Sequence, residues 1–467
     1  VTRTSETTWP HKNNVGARVK NGAGAVQVGA VSNACFLLFL YFILEFFLRF
    51  SQRIPGYGQI RPTLMFFVII AGVLFINRDK IGDRLKDPTF RAFFVFLGYL
   101  AVSLPLVEWP GSVIRHHVGD FVLAVSFLFF TALIVDTNQR LKWFLIVFVG
   151  CQIFRVLEPL YLNITEGYWG GQTHLRYGEF AGRLAGAPAD VINANELGFV
   201  IVTIIPFLHY LLWTKGWKYK LVYLALMPLL LYALILTMSR GAFLALLVVA
   251  FMIFKESRHK LALMGIGLLV AVLGWSVMSP VQQERYTSLI DQDGEFGASV
   301  DGRIDGMQKE LMLGLRRPIV GHGLGTTPEA KTHAFGARQA SHNLYAELLI
   351  EVGVIGAAIF LTFLWRVYRV LVRNKELFKG LDSAHNSFYS HLNTTMIAVF
   401  WMYAVYSINY WGLSQYYWYL FAGLAVAFGR LLKQQYDLEQ GRGEESVLPA
   451  TPRYPLAGRI NRRYARV

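Results

Sequence analysis

Residues Thr237-Met238-Ser239-Arg240-Gly241-Ala242-Phe243 join two apolar runs with almost no loop between them. A charge at mid-membrane costs roughly 2.5–3.5 kcal/mol on insertion scales, so such a residue is a functional-site hypothesis by default. The plain alternative for Arg240 is a snorkelling side chain at a helix end. Which reading holds depends on the side it faces.

Around this stretch the 467 residues are 54% hydrophobic, 15% aromatic and only 16% charged. A helix needs about 20 mostly apolar residues to cross a bilayer. Such runs fall at 31–50, 62–77, 90–107, 118–135, 141–158, 191–213, 220–238, 241–254, 261–279, 342–365, 392–408 and 412–431. Unpaired backbone groups are too costly in lipid, so the runs read as helices; strands would be shorter and alternating. The expected fold is an all-α polytopic membrane protein of about twelve transmembrane helices with one large outer loop. Residues 1–30 read as a tail, 31–279 as spans one to nine, 280–341 as the large loop, 342–432 as spans ten to twelve and 433–467 as a largely disordered tail. Residues 1–30 are polar and Gly-rich rather than signal-like, so span one is expected to serve as its own topogenic signal. Cys35 and Cys151 fall inside apolar runs and read as buried thiols.

The net charge of +15 raises the question of nucleic acid. The excess instead follows alternate loops. Arg78, Lys80, Arg84, Lys86 and Arg91 follow span two; Arg140 and Lys142 follow span four; Lys215, Lys218 and Lys220 follow span six. Lys255, Arg258 and Lys260 follow span eight, and Arg366, Arg369, Arg373, Lys375 and Lys379 follow span ten. The other short loops are poorer, although Arg49, Arg53 and Arg61 after span one run against the trend. By the positive-inside rule both termini are expected in the cytoplasm. The loops 159–190 and 280–341, and Arg240 with them, then face outward. Run 241–254 is about 21 Å long at 1.5 Å per residue, and so short a helix draws its flanking charge toward the membrane boundary.

Loop 280–341 concentrates polar groups. Ile304, Met307, Leu311 and Leu315 recur at helical spacing, which predicts an amphipathic helix over 301–316 lying on the membrane or on the bundle. Pro318 is expected to end it, with Gly321-His322-Gly323-Leu324-Gly325-Thr326 as a flexible turn. Asp291-Gln292-Asp293 matches a pattern that holds a metal in many glycosyltransferases but is common in acidic loops. The Gly-x-Gly-x-Gly run lacks the lysine of a phosphate-binding loop, so ATP is not expected. Glu347 and Glu351, one turn apart, read as partners for outer arginines or as proton carriers. Tyr406, Tyr410, Trp411 and Tyr416 to Tyr419 read as an interfacial aromatic belt.

Gly182-Arg183-x-x-Gly186 with Asn193-x-Asn195, then Ser239-Arg240-Gly241-Ala242, Arg303, Gly321-x-Gly323-x-Gly325 and Ser341-His342-Asn343 together resemble the O-antigen ligase and O-antigen polymerase superfamily over about residues 180–365. The resemblance implies transfer of a glycan from undecaprenyl diphosphate on the periplasmic face of a Gram-negative inner membrane. It also implies an inverting reaction with no metal. In the ligase branch the acceptor is the lipid A core oligosaccharide. His342 is then the expected base, Arg183, Arg240 and Arg303 the diphosphate clamp, and Asn195, Ser239, Asn343, Tyr345 and Glu347 supporting groups. Partners are the lipid-linked O-antigen, the lipid A core and membrane lipids, with no nucleic acid.

The chemistry fits those residue types. Charge grows on the diphosphate as the C1 bond breaks, and arginine matches phosphate bidentately at any working pH. An acceptor hydroxyl needs a base active near neutral pH, which suits histidine. The rival readings are a polymerase, a protein O-oligosaccharyltransferase and, in another class, a transporter; no internal repeat supports the last.

Overall fold

A computed structural model of the chain describes residues 29–174, 180–287, 297–336, 338–381, 383–410 and 412–447. Each apolar run coincides with a helix. The first five are α1 (Asn33–Leu48), α2 (Pro62–Ile76), α3 (Pro88–Ser103), α4 (Val118–Ile134) and α5 (Asn138–Glu166). A hairpin follows, β1 (Gly170–His174) and β2 (Phe180–Leu184), antiparallel with Gly171 opposite Arg183. Next come α6 (Ala194–Leu212), α7 (Trp217–Thr237), α8 (Arg240–Glu256) and α9 (Lys260–Val277). The large loop carries α10 (Pro280–Thr287), α11 (Gly297–Arg316) and α12 (Thr327–Phe335). The chain closes with α13 (Leu344–Leu377), α14 (Ser383–Tyr406) and α15 (Tyr416–Val447).

Among the described residues, eight helices are long and apolar enough to cross a membrane: α2, α3 and α4, each taken with the short helical turns adjoining it (Tyr57–Ile76, Pro88–Leu106 and Pro110–Ile134), then α5 to α7, α9 and α13. Four runs fall outside that set for evident reasons. α1 has 16 residues and α8 has 17. α14 opens on polar residues from Ser383 to Thr395, and α15 runs on into a charged segment.

That charged segment corrects one expectation. Residues 433–447 were expected to lack order, yet they continue α15. Gln435 donates to Glu439 at 2.7 Å one turn on, and Tyr436 packs against Gly380. Residues 448–467 lie outside the described set, as do 1–28.

Helix starts are set by local chemistry. Ser32, Asp87, Thr137, Ser239 and Asn343 each accept a first-turn N–H. Asn193 and Glu196 form a reciprocal capping box at α6. The core is aromatic. Phe39 and Phe42 of α1 meet Phe127, Phe130 and Phe144 of α4 and α5, while Phe93, Phe360, Phe363 and Tyr419 tie α3, α13 and α15. Cys35 and Cys151 are buried free thiols, as expected.

The expected aromatic belt is corrected too. Tyr406, Tyr410, Tyr417, Trp418 and Tyr419 are buried core residues, packed edge and face around Phe199, Tyr403 and Phe400. Their hydroxyls find internal acceptors, as with Tyr419 to Leu413 O at 2.7 Å. Buried tyrosines need such partners, which is why they can leave the interface. Trp411 lies outside the described residues.

Candidate functional site

Thr237 ends α7, Met238 turns the chain with φ 49°, and Ser239 caps α8 by accepting from Ala242 N at 3.3 Å. Arg240 therefore occupies the first helical position, and it is only 3% exposed. The turn is held from two sides. A Cβ on Gly198 would lie 2.7 Å from Ala242 Cβ, and one on Gly241 would lie 3.3 Å from Asn409 Cβ. The first turns of α6 and α8 thus touch, and the segment after α14 closes over them. A cation on the positive end of a helix reinforces the local potential, which favours an anion there.

The hairpin brings Arg183 to the same place. Its Nε donates to Thr237 O at 2.8 Å and its Nη2 to Asn195 Oδ1 at 2.8 Å. Asn195 O in turn accepts from Tyr406 OH at 2.6 Å. Below it, Arg155 of α5 gives Nε and Nη2 to Asp190, at 2.6 and 3.2 Å.

His342 lies at the start of α13 and its side chain is exposed. Asn343 caps the helix: its Oδ1 accepts from Tyr345 N at 2.9 Å and Ala346 N at 3.3 Å. Ser341 Oγ is occupied with Glu310, Asn343 O and Asn343 N. The Leu344 N–H is shared by Ser407 O and Tyr410 O, and Tyr345 OH donates to Ala404 O. One short segment, 404–413, therefore touches both the Arg240 turn and the His342 helix start. These groups, far apart in sequence, stand at one end of the bundle.

Glu347 and Glu351 do not pair with arginines among the described residues. Glu347 Oε2 accepts from Gly412 N at 2.8 Å and Leu413 N at 3.2 Å. Glu351 accepts from Gly325 N at 2.7 Å and Thr327 Oγ1 at 2.8 Å. Both organise loops that approach α13.

The glycine run is likewise not a flexible turn. α13 breaks at Gly353 (φ 66°, ψ −176°), and residues 318–323 lie against the break. His322 N donates to Ile350 O at 2.7 Å, Gly323 N to Glu351 O at 3.0 Å, and Val354 N to Pro318 O at 2.7 Å. Tyr99 OH donates to Val352 O at 2.6 Å. A broken span must satisfy its freed backbone groups, and this loop does so. Cβ atoms on Gly321 and Gly353 would fall within 2.6 Å of backbone atoms, so both positions need glycine.

Flanking this clamp, His322 is buried, stacks on Trp109 and donates from Nδ1 to Ile350 O. Burial holds its imidazole below the ordinary value. Nearby, His117 and Ser112 reach Glu329 Oε1 at 3.3 and 3.0 Å. Burial alone would raise the Glu329 carboxyl, but these bonds and its own backbone N–H hold it low.

The helix expected over 301–316 exists and begins earlier, at Gly297. Glu310, Leu313 and Gly314 face α13 and α12, with Lys331 on Glu310 at 2.6 Å. Met307, Leu311 and Leu315 are exposed, so this stripe is not the face packed on the bundle. The helix ends at Arg316, before Pro318. Of Arg303 the structure describes the backbone alone, on this helix, and Asp291 and Asp293 lie outside the described residues.

One residue was missed in the sequence. Arg285 of α10 is buried, and its neighbour Tyr286 packs at a tilt against Phe243, ring centroids 5.4 Å apart, and reaches Leu234 O at 3.5 Å. Burial raises the Tyr286 phenol, and the charges of Arg183 and Arg285 pull it back. Arg285 thus adds a third guanidinium beside the α7–α8 turn. Its only sequence signal was a basic residue in a mixed polar stretch.

Fold and site define a polytopic helical membrane protein with buried cations gathered where several spans end. The family Wzy_C, described as O-antigen ligase, matches residues 225–361 and so shows the resemblance over the stretch that holds Arg240, the glycine clamp and His342. Arg183 and Asn195 fall outside that match. A ComP-specific O-oligosaccharyltransferase from Acinetobacter baylyi is 22% identical over 366 residues, covering 71% of this chain and 63% of that protein. The chain thus spans less than two thirds of that relative's length. Residues 225–361 are thus similar to the O-antigen ligase family, and most of the chain shares a distant likeness with an O-oligosaccharyltransferase.

Proposed function

We propose that the chain is an inner-membrane O-antigen ligase that moves the glycan from undecaprenyl diphosphate to the lipid A core on the periplasmic face. Arg183, Arg240 and Arg303 hold the diphosphate and stabilise the charge that grows on it as the C1 bond breaks. His342 takes the proton from the acceptor hydroxyl, whose oxygen attacks C1 from the opposite side and inverts it. Ser239 and Asn195 fix the two arginines beside α8; Asn343, Tyr345 and Glu347 fix the start of α13. The reaction needs no metal and no ATP, because the diphosphate is already a good leaving group. The observation that carries this reading is the segment 404–413, which contacts the Arg240 turn and the His342 helix start at once.

The relative's name favours a second reading, transfer to a protein acceptor. A test uses the purified full chain in lipid with one radiolabelled lipid-linked glycan and three acceptors: lipid A core, a second lipid-linked glycan, and the protein ComP. Label on the core supports the ligase, label on longer lipid-linked glycan a polymerase, and label on protein the oligosaccharyltransferase. A chelator in each reaction is expected to leave the rate intact; strong inhibition would overturn the metal-free mechanism.

A further inference from the structure

Residues 49–61, between α1 and α2, stand at the Arg240 end of the bundle, because Arg53 pairs with Glu158 near the end of α5 at 2.6 Å. The segment carries Arg49, Arg53 and Arg61 and no carboxylate. Three arginines oppose the charge bias of the other loops, and glycan transfer uses none of them. Arg53 is neutralised by Glu158. Among the described residues, no carboxylate lies within ion-pair distance of Arg49 or Arg61. Asp120, the acid nearest in sequence to the groove described next, makes no ion pair with Arg61 either.

The segment roofs a groove of about 570 Å³. Leu64 and Phe67 of α2 and Val122 and Leu123 of α4 form its apolar walls, and Ser51, Gln52, Arg61 and Thr63 its mouth. A polar hollow of about 440 Å³ shares Ser51, Gln52 and Gly58 with it, so the two form one cleft. The roof is specifically shaped. Arg49 and Arg61 hold φ of 55° and 47°, conformations uncommon for residues other than glycine. A Cβ on Gly58 would lie 2.7 Å from Ser51 O, so the roof folds tightly on itself. Leu64 and Val122 are exposed, so the apolar half opens sideways to lipid rather than into the core.

We infer that this cleft binds an anionic, phosphate-bearing lipid from the adjoining leaflet. Its acyl chain runs along Leu64, Phe67 and Val122, and its phosphate sits against Arg61 with Ser51 and Gln52 as neutral partners. Charge complementarity selects the headgroup: Arg61 stands in the mouth and no carboxylate lines it, while Glu45 is buried behind the roof and accepts from Ser51 N at 3.2 Å. The groove selects a chain-bearing ligand over a free ion. The site is separate from the Arg240 turn and does not depend on the glycan-transfer reading.

The experiment is native mass spectrometry of the detergent-purified full chain, given equal phosphatidylglycerol and phosphatidylcholine with the same acyl chains. The wild type is expected to retain phosphatidylglycerol about tenfold over phosphatidylcholine, the scale of one charge-assisted hydrogen bond. Arg61→Asn tolerates the left-handed backbone while removing the charge, and should bring the ratio to about one; Arg61→Lys should restore most of it. Val122→Trp fills the apolar half and should lower retention of both lipids. Inorganic phosphate should not displace the bound phosphatidylglycerol. Equal retention of the two lipids by the wild type, an unchanged ratio in Arg61→Asn at unaltered melting temperature, or displacement by phosphate alone would each overturn the assignment.

Discussion

Gly321→Ala tests whether the glycine loop is a structural clamp on the broken span. Gly321 holds φ 73°, and a Cβ there would lie 2.4 Å from Glu351 C, 2.5 Å from Glu351 O and 2.6 Å from Val352 N. All three are backbone atoms of α13, which cannot swing aside as a flexible side chain would. The left-handed conformation alone costs a non-glycine residue about 1–2 kcal/mol. Relieving the clash requires the loop to withdraw, which exposes the bonds His322 N to Ile350 O, Gly323 N to Glu351 O and Val354 N to Pro318 O. Each is worth about 0.5–1.5 kcal/mol net, so the expected loss is roughly 3–6 kcal/mol. Gly336→Ala is the internal control. It has φ 71° and nothing within 4 Å of the new Cβ, so only the conformational cost applies. Thermal unfolding of both variants in one detergent, followed by tryptophan fluorescence, gives the comparison. Gly321→Ala should melt far below Gly336→Ala and should lose transfer, since the first half of α13 carries His342 at its start. Equal melting temperatures for the two variants would refute the clamp.

His342→Ala should cut glycan transfer by about 10²–10⁴, the usual worth of a general base, with the melting temperature unchanged because the side chain is exposed; a wild-type rate would reject the assignment. Arg240→Lys keeps the charge but loses the bidentate fork, and transfer should fall by about 10²–10³ in a single-turnover assay. The His322 imidazole is held low by burial, so the unfolded chain binds the extra proton first and stability falls as pH drops below about 6.5. His322→Phe keeps the stack on Trp109 without titrating, and should make the melting temperature fall less than in the wild type between pH 7.5 and 5.5; the low Glu329 carboxyl acts only nearer pH 4.5.

Much of the helical order was legible because lipid permits few solutions. Every run rich in Leu, Phe and Val became a helix. The placement of Arg240 in a buried turn was legible for the same reason: no polar loop separated its two runs. What failed was anything decided by partners distant in sequence. Glu347 and Glu351 looked like ion-pair members because a buried acid wants a cation, but backbone N–H groups of residues 412, 413 and 325 serve instead. The tyrosines near 410 looked interfacial because their hydroxyls want water, but carbonyls such as Leu413 O and Asn195 O accept them inside. The stripe Met307–Leu315 had helical periodicity, yet periodicity fixes a face and not what covers it. Here Leu313 and the Glu310–Lys331 pair form the face that meets the rest of the protein, and the stripe faces away from it.

The contrast between Arg155 and Arg183 separates scaffold from site. Both are buried arginines beside α6, and sequence offers no reason to rank them. Arg155 gives two N–H groups to the Asp190 carboxylate, so its charge is cancelled where it stands. Removing either partner would leave a buried charge and cost several kcal/mol, which marks the pair as structural. Arg183 donates to the Thr237 carbonyl and the Asn195 amide oxygen, which fix the orientation of its guanidinium beside the α7–α8 turn. The Thr237 carbonyl belongs to the negative end of α7, so it steadies the cation there, one turn from the positive end of α8 that carries Arg240. An anion placed between Arg183 and Arg240 therefore meets the oriented Arg183 guanidinium, a second buried arginine and a helix N-terminus. Arg155→Gln should consequently cost stability first and transfer only through it, whereas Arg183→Gln should cost transfer with the melting temperature nearly retained. If the two substitutions exchange these effects, the diphosphate does not sit at the α7–α8 turn.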